Sequence, residues 1–173
     1  MIDEVQTGNG RSGKLYAYMH YGITPDVVTT AKGIGGGLPL GACLMGEKVA
    51  NTLTPSSHGS TFGGNPVATA GAVNILSRID EKLLADVSRK SEMLVNGLRA
   101  IKGVKSVSGM GLMLGIETEK PAAEVVKACI AQGVLCLTAK SKVRLLPALN
   151  IPRDILAEAL TVIKEECARE VNA

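Results

Sequence analysis

From Asp80 onward, short apolar runs alternate with segments of helical period, and no other feature narrows the fold as far. Leu83, Leu84, Val87, Leu94, Leu98 and Ile101 recur at helical spacing and mark the buried stripe of one helix, capped by Asp80 and ended by Gly103. After it the pattern predicts a strand Val104 to Val107, a Gly109-Met110-Gly111 turn and a strand Leu112 to Glu117. A helix Pro121 to Gln132, strands Val134 to Leu137 and Val143 to Leu146, and a helix from Pro152 to about Glu170 complete the series. Elements in such alternation bury one another's apolar faces in layers, so the fold class is α/β.

Residues 1–79 have another texture, and a domain boundary is placed near 79. Residues 1–6 are the end of a strand, and Gly8, Gly10 and Gly13 make 7–13 a loop. Lys14 to Tyr21 reads as a short helix stopped by Gly22. The β-branched run Val27-Val28-Thr29-Thr30 is a buried strand that stops at Ala31-Lys32-Gly33. Gly35, Gly36 and Gly37 turn the chain into a second apolar run, Leu38 to Met45. Residues 52–66 form a long polar Gly/Pro loop, of a length that usually serves function. Asn65-Pro66 then opens a helix of small residues, suited to close packing. A domain rarely begins at the tip of a strand, so the expectation is that the chain starts inside a larger domain. Residues 1–79 would be its incomplete C-terminal part, and 80–173 a small C-terminal α/β domain.

Composition excludes several classes of function. Aromatic residues are 2% of the chain, with no Trp, Phe62 alone and Tyr16, Tyr18 and Tyr21. The core must therefore be built from Val, Leu, Ile, Ala and Met, which suits parallel strands buried on both faces. Stacking on nucleic acid needs aromatic platforms, and backbone binding needs a basic stripe; the net charge is only +3, with both signs interleaved. No nucleic-acid partner is expected. No run reaches the roughly 18 apolar residues of a membrane helix, so no membrane partner is expected either. Cys43, Cys129, Cys136 and Cys167 form no CxxC pair and lie in apolar stretches, which reads as reduced, buried thiols in a cytoplasmic protein. No metal is expected, since His20 and His58 adjoin no cysteine pair.

Lys32 follows a strand and Asp3 ends an earlier one. Ligands of open α/β sheets bind at the carboxyl ends of strands, so an ammonium and a carboxylate can share one edge. Either residue alone is an ordinary loop or turn residue. Together with their surroundings they form an ordered series. It runs Asp3-Glu4-Val5-Gln6-Thr7-Gly8, Gly10-Arg11-Ser12-Gly13, Pro25-Asp26-Val27-Val28-Thr29, Ala31-Lys32-Gly33, Gly35-Gly36-Gly37, and Gly59 to Pro66. This series resembles the class III, fold type I, pyridoxal-phosphate aminotransferases, and most closely the acetylornithine and ornithine branch. The likeness covers essentially the whole chain. It implies that residues 1–79 belong to the large cofactor-binding domain, whose N-terminal half lies outside the chain.

The resemblance also implies roles. Pyridoxal 5'-phosphate (PLP) is the cofactor, and Lys32 matches its Schiff-base lysine and proton shuttle. Asp3 matches the carboxylate that pairs with the pyridinium nitrogen and keeps the ring electron-withdrawing. Val5 matches the apolar residue on one ring face, and Gln6 the partner of the ring 3' oxygen. Thr61, with Ser60 beside it, matches the hydroxyl given to the cofactor phosphate of the neighbouring subunit, which implies a homodimer. Arg144, in an apolar run where an unpaired charge would be costly, matches the arginine that grips a substrate carboxylate. His58 is read as a loop residue near the dimer interface.

The substrates implied are amino acids and 2-oxo acids. Foremost is transfer of the δ-amino group of N-acetylornithine to 2-oxoglutarate, in arginine biosynthesis. Ornithine or 4-aminobutyrate aminotransferases, a decarboxylase or aminomutase on the same fold, and a non-catalytic scaffold remain alternatives. The 173-residue chain by itself is expected to be inactive, because the family's phosphate loop, ring-stacking aromatic and distal-carboxylate arginine are not found in it. Gly33 to Gly37 is not a nucleotide-binding loop, since its lysine precedes the glycines.

Overall fold

The structure, a computed structural model, describes residues 1–169. It divides into two compact units, Met1–Leu84 and the chain from Ala85 onward, a division five residues beyond the boundary read from the sequence.

The first unit is built on a three-stranded sheet of order β1-β2-β3, comprising β1 (Ile2–Asp3), β2 (Val27–Thr30) and β3 (Ala42–Met45). Strands β1 and β2 are parallel, with Ile2 opposite Val28 and Asp3 opposite Thr29, while β3 runs antiparallel to β2. The loop after β1 carries less helix than its sequence predicts. Only a 3-10 turn, Ala17–His20, forms within the expected Lys14–Tyr21, because Tyr16 is extended and precedes it. Another 3-10 turn, Lys32–Gly35, follows β2. Helix α1 (Pro66–Arg78) starts where the sequence places it, with the Asn65 side chain accepting from the Val67 and Ala68 N–H groups. The glycine turn after β2 approaches this helix closely: a Cβ on Gly36 would lie 2.8 Å from Ile75 Cγ1, and Gly36 also holds φ +59°.

Helix α2 (Glu81–Arg99) is capped by Asp80, whose Oδ1 accepts from the Leu83 N–H at 2.8 Å. The second unit packs α2, α3 (Ala122–Ala131) and α4 (Arg153–Ala168) around a four-stranded sheet of order β4-β5-β7-β6. The expected end of the last helix at Glu170 lies outside the described residues. All three strand pairings are antiparallel, not parallel as the composition had suggested for the fold, because each connection here is a hairpin or a return across the face. The core is aliphatic throughout: Val87, Leu94, Leu98, Leu112, Leu114, Ile116, Val125 and Val143 are almost wholly buried.

Strand boundaries in this sheet differ from the sequence reading, by one residue at each end of two strands and by more in the other two. Strand β4 (Val104–Met110) runs through Gly109 and pairs it with Leu114 of β5 (Met113–Thr118), leaving Gly111-Leu112 as the turn. Gly109 works in the strand because the backbones crowd there: its φ is +122° and a Cβ would meet Met113 O at 2.1 Å. Strand β6 is Leu137–Ala139 and not Val134 to Leu137; pairing with β7 (Lys142–Leu145) begins only at Leu137, opposite Arg144. Cysteine burial is also corrected in part. Cys129, Cys136 and Cys167 are buried thiols, but Cys43 is exposed in β3, at the edge of its sheet.

Candidate active site

The parallel pairing of β1 with β2 brings the carboxyl ends of two strands to one edge. Asp3 is the last residue of β1 and Lys32 lies two residues beyond β2, so both residues sit at the carboxyl ends of neighbouring parallel strands. Both are exposed. Buried Thr30 and half-buried Ala31 anchor the chain just before Lys32, and Ile34 and Gly35 are buried just after it. The lysine is thus an outward-facing side chain on a backbone fixed from both sides.

Lys32 holds φ +52°, a left-handed conformation that costs a residue with a Cβ roughly 1–2 kcal/mol. Such strain persists only where surrounding contacts overdetermine it, and it concentrates at functional sites. Asp3 is oriented too, its Oδ1 accepting from the Val5 N–H at 2.8 Å. Gln6 and half-buried Val5 continue the same turn.

Behind the edge lies a polar interior that the sequence reading did not single out. Glu4 is 1% exposed; one carboxylate oxygen accepts from the Tyr18 N–H at 2.9 Å and the other from the Thr7 hydroxyl. Asn9, also in a left-handed conformation, donates through Nδ2 to Thr30 Oγ1 at 3.0 Å and to Ala31 O at 3.1 Å. Thr30 in turn hydrogen-bonds the hydroxyl of buried Tyr16, whose ring stacks on Tyr18 with centroids 5.8 Å apart. Burial, and then the neighbouring Tyr18, push the Tyr16 hydroxyl's pKa above its ordinary value, so it stays protonated. Burial lowers that of Arg11, without bringing a guanidinium near neutrality. No periodicity marks these polar residues. The available signal was the left-handed tolerance of Asn within a glycine loop.

The remaining candidates belong to other segments of the chain. Ser60 and Thr61 are exposed, in a loop whose hydrogen bonds are internal, such as Gly63 N–H to Ser60 O at 3.3 Å. Exposed His58 shares that loop. Arg144 belongs to the second unit. In β7 it alternates with buried Val143 and Leu145 and so faces away from the core, opposite Gly115 and Leu137. Lys142 shares that face and donates to Ser108 Oγ at 2.9 Å. Among the described residues no cluster of His, Cys, Asp and Glu could hold a metal, and no helix is long and apolar enough to cross a membrane.

The profile of the Aminotransferase class-III family matches residues 1–166. The chain belongs to the class-III aminotransferase family. Among curated relatives of this class-III chain is an acetylornithine aminotransferase from Haemophilus ducreyi, 48% identical over 167 residues, spanning 95% of this chain and 42% of that protein. Another, from Corynebacterium efficiens, is 47% identical over 175 residues, spanning all of this chain and 43% of its own length. The solved N-acetylornithine aminotransferase of Stenotrophomonas maltophilia superposes with a TM-score of 0.84 at 38% identity, over 95% of this chain and 45% of that one. Ornithine delta-aminotransferase of Plasmodium falciparum gives 0.86 at 35% identity, over 95% and 46%. The chain therefore spans less than half the length of the class-III relatives it matches.

Proposed function

We propose that this chain supplies the lysine-bearing part of a PLP-dependent aminotransferase that moves the δ-amino group of N-acetylornithine to 2-oxoglutarate, in arginine biosynthesis. The observation that carries the reading is the juxtaposition of Asp3 and Lys32 at the carboxyl ends of neighbouring parallel strands. The names of the curated relatives support the substrate.

The donor set suits PLP. An oriented carboxylate matches a protonated ring nitrogen, and an exposed primary amine matches an aldehyde. When bound, PLP supplies an electron sink for the carbanion left when a substrate Cα proton departs. The chain's own residues do the rest. Asp3 holds a proton on the ring nitrogen by charge pairing. The Lys32 Nζ holds the cofactor and then takes and returns the Cα proton. Val5 would pack against one ring face, and Gln6 would hydrogen-bond the 3' oxygen.

Arg144 grips a substrate carboxylate through the planar fork of its guanidinium. Ser60 and Thr61 offer hydroxyls to a cofactor phosphate across a homodimer interface; their exposure beside exposed Phe62 and Val67 supports that placing. The protein acts in the cytoplasm, a reading supported by its four free cysteines. A panel of amino donors with 2-oxoglutarate tests the assignment. N-acetylornithine should give the highest kcat/KM, and a preference of tenfold or more for ornithine or 4-aminobutyrate would overturn it.

A further inference from the structure

We propose that Asn9 is the positioning residue for Lys32, locking the peptide plane from which the lysine leaves the sheet. The inference rests on the reading of Lys32 given above.

Asn9 is 7% exposed and reaches across from the loop after β1 to the end of β2. Its Nδ2 donates to Ala31 O at 3.1 Å. That carbonyl belongs to the same planar unit as the Lys32 N–H, so holding the oxygen fixes the orientation from which the Lys32 Cα departs. The same carbonyl also receives the Ile34 N–H at 3.4 Å, a longer bond that leaves the side-chain amide as its closer partner. The second Nδ2 proton goes to Thr30 Oγ1 at 3.0 Å, tying the last residue of β2 to the same amide.

The amide orientation is decided by Ala31 O, which can only accept. Its cost is visible at the other end: Asn9 Oδ1 is buried without a partner among the described residues. A buried amide that leaves its acceptor unpaired is held for its donors, because an apolar residue of similar size would fill the space without that penalty. Gly33 lies beside the same side chain, where a Cβ would be in ordinary contact at 3.4 Å from Asn9 Cβ. The left-handed φ of +57° at Asn9 and of +52° at Lys32 are thus joined through one side chain.

The test uses the PLP-loaded enzyme with Asn9→Asp, which keeps the volume and loses the donors, and Asn9→Gly, which keeps the left-handed backbone and loses the whole amide. Both should lower kcat on the order of 10- to 100-fold, with KM for the amino donor and cofactor content near wild type. Amide exchange at residues 31–36 should quicken while α1 stays protected. Wild-type kcat with unchanged exchange at 31–36 would overturn the inference. So would a general loss of cofactor and of α1 protection, which would make Asn9 a residue of stability alone. Borohydride reduction of the wild-type enzyme separates the two readings. Label on Lys32 with silent Asn9 variants sinks only this inference, whereas label on another lysine sinks the reading beneath it.

Discussion

The first thirty residues and the second unit bury opposite kinds of side chain. In the former, Glu4, Asn9, Ser12 and Thr30 are buried beside only two apolar residues, Tyr16 and Val28. In the latter a continuous aliphatic cluster runs from Val87 to Cys167, with polar burial among the described residues at Lys90, Thr118 and Glu166. Apolar burial is roughly proportional to area and indifferent to direction, so it builds stability. Buried hydrogen bonds contribute little net stability but fix geometry, because each misplacement leaves a group unsatisfied. The first region thus holds a strand edge in register, and the second holds itself together. The first unit also leaves Leu44, Phe62, Val67 and Val73 exposed, an apolar surface that a unit stable on its own would cover.

The contrast predicts that substitutions at the Asp3–Lys32 edge change rates and spare the second unit's stability, while substitutions in the aliphatic cluster do the reverse. The largest effect belongs to Lys32→Ala. Transamination should fall on the order of 10³-fold or more, with hydrogen-exchange protection of α2 to α4 unchanged; near wild-type turnover would break the comparison at once. Asp3→Asn should come next, lowering kcat on the order of 10²-fold with cofactor affinity changed far less, as steady-state kinetics and PLP titration would show. On the other side, Leu98→Ala or Ile116→Ala should destabilise the second unit by about 3 kcal/mol. Each is fully buried, and denaturant titration read by α2 protection would measure the loss.

The smallest effect concerns an ion cluster of the second unit that joins buried Lys90 and exposed Arg153 to Asp86. Lys90 and then Arg153 hold the Asp86 carboxyl down to about 2, through contacts of 2.6 Å each. The folded value lies below the unfolded one near 4. The pair's contribution is therefore complete above about pH 4 and is lost as pH falls through 2. Asp86→Asn should flatten the acid limb of the second unit's melting temperature between those values, by about 2 °C. An unchanged limb would show that the pair contributes nothing.

Much of this architecture is legible in the sequence alone. The β-branched run at 27–30 matches β2 residue for residue, and the apolar stripe of α2 follows its period through Val87, Leu94 and Leu98, while Ile101, also buried, lies two residues past the helix end at Arg99. Asp3 and Lys32 stood out because each punctuates a strand. Glu4 and Asn9 did not, because a polar residue in a glycine loop carries no period to show that it turns inward. The start of β6 was missed for a related reason. Val134-Leu135-Cys136 is as apolar as a strand, yet only cross-strand pairing with Arg144 decides where the ladder begins. Gly109 looked like a turn because glycine marks turns and close backbone approach alike.

The central claim is that the edge shared by β1 and β2 presents Lys32 as the residue that holds PLP. The most direct test is to reduce the PLP-loaded protein with borohydride, digest it and map the modified peptide. The account predicts a single pyridoxyl label on Lys32, in the peptide that follows Val27-Val28-Thr29-Thr30. A label on any other lysine, with Lys32 unmodified, would contradict it.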